Sequence, residues 1–256
     1  MNKKHIIVNI AIVAALMAGI LSFGGCLENA GAATSTLPGV EVREYQGEDL
    51  SSINDFRENS IKGPQYIDIA NYQLKITGLA DNLTSYTYDE VLNAFTSYEK
   101  VVELNCVEGW SVKILWEGVR LSDLLQAAEP KPEAKVVIFH AYDGYTTSFP
   151  IEYIVNNNIL MASKMNGVTI PPERGYPFEL VAESKWGYKW IKWITEIELS
   201  DDINYKGYWE ERGYSNSGDL DASFFAPRIG RPVLTPARKA DNLRCKTALS
   251  RCRHKH

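Results

Sequence analysis

The run Asn105-Cys106-Val107-Glu108-Gly109-Trp110-Ser111-Val112 lies between two apolar stretches, 101–105 and 112–116. Their β-branched content predicts two strands, the first of which delivers Cys106 at its end. Gly109, three residues on, lets a ligand come close to the backbone. Taken alone, a strand cysteine is either an inert buried hydrophobe or a working thiol. A nucleophilic role would need a histidine base, and His140 is the only histidine between residues 51 and 218. The chain has four cysteines, no Cys-x-x-Cys and no His-Glu-x-x-His, so neither a disulfide scaffold nor a zinc site has support.

Outward from this run, further strands are expected over 72–76, 136–139, 145–149, 159–162, 178–182 and 190–199. Thr87 and Glu90 have capping-box spacing for a short helix reaching Phe95. A second helix starts at Leu121 and stops before Pro130. Glu117-Gly118 and Asp143-Gly144 read as turns, and Pro171-Pro172 with Gly175 as a long loop. Many short strands with two or three short helices make a β-rich α+β domain. There is no Gly-x-Gly-x-x-Gly and no strand–helix–strand repeat, which excludes a dinucleotide-binding domain.

The 256 residues are 45% hydrophobic and 23% charged, values of an ordinary globular chain and not of a disordered or polytopic membrane protein. The formal charge of −5 is unevenly placed: residues 228–256 hold nine Lys/Arg and one acid. The acidic body argues against nucleic acid as a partner. The basic tail reads as a solvated, disordered end, or as a contact for anionic lipid headgroups.

At the other end, Lys3, Lys4 and His5 precede an apolar run over 6–23 and then Gly24-Gly25-Cys26. Small residues before a cysteine resemble a lipoprotein signal; the alternative is an uncleaved anchor. Both place the body on the extracytoplasmic face of the cell membrane, tethered through its N-terminus or released as a secreted protein. The Asn82-Leu83-Thr84 sequon is compatible with that location. The expected organisation is a signal or anchor at 1–26, a flexible tether at 27–50, a domain at 51–218 and a basic tail at 219–256.

Four segments together resemble the sulfite oxidase and periplasmic sulfoxide reductase family of molybdopterin enzymes. They are the cysteine segment with Trp116-Glu117-Gly118-Val119-Arg120-Leu121, then Asp143-Gly144-Tyr145-Thr146-Thr147-Ser148-Phe149-Pro150, Arg174-Gly175-Tyr176-Pro177-Phe178-Glu179-Leu180-Val181 and Trp186-Gly187-Tyr188-Lys189-Trp190-Ile191-Lys192-Trp193. Residues 54–60 resemble the N-terminal pterin loop weakly, and 208–216 the strap that closes the domain.

The resemblance implies a sulfite oxidase-type molybdopterin-binding fold, α+β and β-rich, with mixed sheets and a few short helices. It implies a molybdenum-molybdopterin cofactor, with tungsten as the variant metal. Cys106 would be the sole protein ligand to the metal, as a soft thiolate, and Tyr145 the group beside it. Asn54, Arg57, Ser60, His140, Ala141, Arg174, Lys189 and Lys192 would bind the cofactor. A lysine among Trp190, Ile191 and Trp193 is costly unless an anion pairs with it, and the pterin phosphate would be that anion; the alternative is two surface lysines with buried stems. Spaced three apart, Lys189 and Lys192 face opposite ways on a regular strand, so one of them, or a bend near Gly187, must reach the site.

Glu179 departs from the pattern and is expected to point away or to pair with Arg174. The implied activity is two-electron, oxygen-atom transfer on a small oxyanion or sulfoxide. No haem motif is present, so a separate electron-transfer partner is expected. The competing function is a cofactor-free binding or structural lipoprotein on the same fold.

Overall fold

The computed structural model describes residues 39–227. The expected signal or anchor, the first half of the expected tether and the tail beyond 227 lie outside the described residues. Among those described, no helix is long and apolar enough to cross a membrane.

In chain order the first elements are β1 (Glu44–Tyr45), β2 (Glu48–Asp49), β3 (Leu74–Gly78), β4 (Thr84–Tyr86), α1 (Tyr88–Ala94), β5 (Ser97–Asn105), β6 (Ser111–Arg120) and α2 (Leu121–Ala128). Then come β7 (Val136–Ala141), β8 (Thr146–Pro150), α3 (Ile151–Asn156), β9 (Leu160–Met165), β10 (Val168–Thr169), β11 (Glu179–Val181) and β12 (Ile194–Ser200). One five-stranded sheet runs β10-β9-β6-β5, with β11 also paired to β9, and is antiparallel throughout. The other runs β4-β3-β12-β7-β8 and is mixed, because β12 lies parallel to β3. The expected β-rich α+β class with mixed sheets is what forms.

One hydrophobic core draws on both sheets: Val102, Ile114 and Trp116 from the first, Leu74, Phe139 and Ile197 from the second. Each fully buried side chain of this size contributes about 1.5–3 kcal/mol. The expected capping box closes α1: Thr87 accepts from the Glu90 N–H, and Glu90 accepts from the Thr87 N–H.

Two local expectations differ from the structure, and one helix was not foreseen. Glu117-Gly118 is no turn, because β6 runs straight through it. A Cβ at Gly118 would lie 2.2 Å from the Met161 carbonyl oxygen, so the glycine is there to let β9 approach, and the register shifts at that point. Gly118→Ala should therefore cost about 1–3 kcal/mol, read as a lower urea midpoint with unchanged slope.

The strand expected over 190–199 starts only at Ile194. Gly187–Lys189 forms a 3₁₀ turn, and Trp193 takes a positive φ of 55° that breaks an extended run. Helix α3 carries no cap signal strong enough to be read beforehand, since Pro150 caps it without a side-chain bond.

The fold also takes in residues on both sides of 51–218. In the expected tether, the Val42 N–H donates to the Asn166 carbonyl (2.8 Å) and Leu50 is buried. The Glu41 carboxylate collects Ser52 Oγ, the Ile53 N–H and Asn166 Nδ2. In the expected tail, Asp219 pairs with Lys185, and Phe224 packs edge-on against Trp186. Specific partners hold the described parts of these stretches, 41–50 and 219–224, to the domain.

Candidate functional site

The β5–β6 connection is a tight hairpin. The Cys106 N–H donates to the Trp110 carbonyl (2.9 Å), and the Gly109 N–H donates to the Cys106 carbonyl (3.0 Å). Gly109 holds φ at +85°, which a side chain would strain. Cys106 is thus fixed at the mouth of the hairpin, only 7% exposed, in the wall of a cavity of about 270 Å³. The space far exceeds what one water needs.

Burial pushes the thiol above its ordinary value; the Glu108 N–H, the Asn59 amide and Arg57 pull the other way. Glu108 is itself held by Asn59 Nδ2 (3.3 Å) and Trp110 Nε1 (3.2 Å).

The lysine segment reaches this hairpin through Gly187. A Cβ there would lie 3.3 Å from the Asn105 carbonyl oxygen, and Asn105 bridges in parallel to Trp186. The cysteine and lysine segments therefore adjoin because one residue between them has no side chain.

Of the expected site residues, Cys106, Tyr145, Arg57, Ser60, Arg174 and Lys192 line the cavity. Arg57 is exposed, while Ser60 presents a buried Oγ with no partner. Arg174 lies over the Phe56 ring and donates to the carbonyls of Ile53 (3.2 Å) and Phe56 (2.9 Å), so it also staples the 53–60 loop to the wall. Lys192 Nζ sits 3.4 Å from Glu58 Oε1 and 4.4 Å from the centre of the Trp193 ring. The Tyr145 hydroxyl donates to the Tyr188 carbonyl, and burial raises its pKa well above the usual phenol value.

Four expected residues stand elsewhere. Asn54 is exposed, its N–H turned to Ser52 Oγ. His140 pairs with Glu198 (2.9 Å). Ala141 gives its N–H to the Tyr145 carbonyl.

Lys189 is the main difference. It ends the 3₁₀ turn fully buried, and its Nζ donates to Glu210 Oε1 (2.6 Å), the Ser148 carbonyl (2.9 Å) and the Asn216 carbonyl (3.0 Å). The anion expected on this lysine is thus an internal carboxylate from the closing strap. Burial holds the Lys189 pKa below its ordinary value, with Glu210 opposing.

Glu179 overturns its expectation as well. It neither points away nor pairs with Arg174, but lines the cavity at 3% exposure, with Oε2 buried and unpartnered. Trp110, Tyr188, Trp209 and Tyr214 complete the aromatic wall. Trp209 and Tyr214 come from the strap, which the sequence marks by resemblance alone.

Comparison with known proteins agrees on the family. Residues 61–209 match the model of the oxidoreductase molybdopterin binding domain. The uncharacterized oxidoreductase YuiH of Bacillus subtilis is 35% identical over 157 residues, covering 61% of this chain and 78% of that protein. The putative protein-methionine-sulfoxide reductase subunit YedZ1 of Azospira oryzae is 32% identical, covering 58% of this chain and 56% of its own. The protein-methionine-sulfoxide reductase catalytic subunit MsrP of Xanthomonas campestris is 29% identical, covering 61% and 55%. The chain thus spans little more than half the length of these two reductase subunits. Among solved structures, the sulfane dehydrogenase SoxCD of Paracoccus pantotrophus superposes with a TM-score of 0.56 at 20% identity, covering 79% of this chain and 61% of that one. That likeness concerns the fold.

Proposed function

The chain belongs to the oxidoreductase family built on the molybdopterin-binding domain, with a sulfite oxidase-like fold, and from that membership we propose that it transfers an oxygen atom and two electrons to or from a small oxyanion or sulfoxide, with Cys106 as the one protein ligand to molybdenum. The observation that carries this reading is the Cys106 thiol in the wall of a cavity that Arg57, Arg174 and Lys192 also line. A retained thiol in such a cavity favours an enzyme over a cofactor-free binding protein.

The residues present suit the cofactor. A soft sulfur ligand suits a thiolate-binding redox metal, and three cations suit an anionic pterin phosphate. Ser60 Oγ and Glu179 Oε2, buried without partners, are polar atoms that a bound ligand would engage. When bound, the cofactor supplies the two-electron redox change and the exchange of oxygen with water.

The chain's own groups have separable tasks. Cys106 would hold the metal as a thiolate, because a bound metal cation would outweigh the burial that raises its pKa. The hairpin and the Glu108 N–H hold its sulfur. Arg57, on the exposed side, draws in an anion or a polar S–O group. Tyr145 commits its hydrogen to the Tyr188 carbonyl, so its oxygen is left to accept from an N–H or O–H of a bound group. Lys189 keeps the strap closed from behind.

Reduction of a sulfoxide takes two electrons and two protons and releases a thioether and water; the oxidising direction is the reverse. A separate electron-transfer protein exchanges those electrons. The reductase subunits among the relatives favour a sulfoxide and further subunits. The charged-then-apolar start, with Cys26 as lipid acceptor, supports an exported, membrane-tethered body.

The test is metal analysis of protein from a host that makes the cofactor, followed by turnover of sulfite and a sulfoxide panel with an artificial electron mediator. One molybdenum per chain and turnover of either class are expected. Metal-free protein without turnover overturns the proposal.

A further inference from the structure

Glu179 opens β11 beneath the cavity. Gly175 leaves room for its stem: an added Cβ there would lie 3.1 Å from Glu179 Cβ and 3.2 Å from the Lys192 stem. The only charges bearing on its carboxyl among the described residues are Lys192 and Arg174, and neither forms an ion pair with it. On β9, the strand paired with it, Ala162 stands opposite.

Both cations have other commitments. Lys192 faces Glu58, and Arg174 holds the carbonyls of Ile53 and Phe56. Glu58 acts on both cations and Glu173 on Arg174. Two cations thus face three carboxyls, and only Glu179 is fully buried. Burial drives its carboxyl up to about 8, against the pull of Lys192 and Arg174. An ionised Glu179 would also repel an anionic ligand in the cavity.

We propose that Glu179 stands in the cavity wall as a neutral carboxylic acid and donates a hydrogen bond from its carboxyl group to an acceptor atom of the bound pterin. The inference rests on the cofactor reading above. A group of this kind makes cofactor retention depend on pH: affinity holds while the acid keeps its proton and falls about tenfold per pH unit once it loses it.

Two measurements test it. In cofactor-free protein, infrared difference spectra of wild type against Glu179→Gln should show the carbonyl stretch of a protonated acid at neutral pH, titrating away on the alkaline side. A carboxyl raised from 4.5 to about 8 on folding loses its stabilising effect as pH climbs through that window. The wild-type melting temperature should therefore fall there more steeply than that of Glu179→Gln.

In cofactor-loaded protein, molybdenum and released pterin are measured after dialysis from about pH 6 to about pH 9.5. Wild type should lose both above the infrared midpoint, while Glu179→Gln, which keeps a neutral donor, should retain them. Circular dichroism at each pH separates release from unfolding. In wild type alone, release must begin only above the infrared midpoint, which keeps the test intact if the variant does not fold; release at or below that midpoint overturns the donor role. An ionised Glu179 at neutral pH in the cofactor-free protein overturns the inference whatever the cofactor does. Parallel release from both proteins overturns the donor role. A wild type without molybdenum at every pH overturns the cofactor reading, and this inference with it.

Discussion

Cys106→Ser should yield a folded protein without bound molybdenum and without oxygen-transfer activity. A serine hydroxyl is harder, less acidic and a poorer match for a thiolate-seeking metal than the sulfur it replaces. Removing a group hydrogen-bonded to a metal ligand already costs roughly 10–100-fold in affinity or activity, so loss of the proposed ligand itself should cost more. The hairpin is held by backbone bonds from Cys106 to Trp110 and from Gly109 to Cys106, which serine keeps. Thermal unfolding of the cofactor-free proteins should therefore stay close to wild type. Metal analysis beside mediator-coupled turnover reads the outcome, and full molybdenum content in the serine protein contradicts the assignment of the ligand.

Lys189→Ala should be the most destabilising single change at the strap, costing about 3–5 kcal/mol. It leaves the Glu210 carboxylate buried without its cation and with only Thr147 Oγ1 (2.8 Å) as a side-chain donor. It also strands the carbonyls of Ser148 and Asn216. The double change Lys189→Met with Glu210→Gln removes both charges and keeps an amide for Thr147. It should be less costly than the two single losses added, with a coupling of about 0.5–3 kcal/mol. Equilibrium urea unfolding of the four proteins checks this, and additive losses would mean that the pair carries no mutual stabilisation. Lys189 thus works by pinning Glu210, and with it Trp209 and Tyr214, against the cavity.

The parts of the fold legible beforehand were those with local causes. The Thr87–Glu90 capping box formed as spaced, because its bonds close within one helical turn. The strand leading to Cys106 formed because apolar, β-branched residues suit a pleated buried surface. Glu117-Gly118 misled because a glycine that makes room for a crossing strand looks the same in sequence as one that makes a turn. Trp193 misled because its positive φ is imposed from outside its own segment: its N–H meets the Gly175 carbonyl (3.3 Å) and its indole the Pro172 carbonyl (2.7 Å).

By itself the sequence determined the β-rich class, the order of the segments and a lone cysteine at a strand end, since propensity and pattern act between near neighbours. Only the tertiary structure decided which charges meet. Lys189 was given to Glu210, 21 residues away, while Lys192 was left facing the cavity. Glu179 was drawn into the wall beside Arg174 and Lys192, where a dry environment favours its neutral form. Charge pairing and desolvation depend on distances between segments far apart in the chain, and folding alone sets those distances.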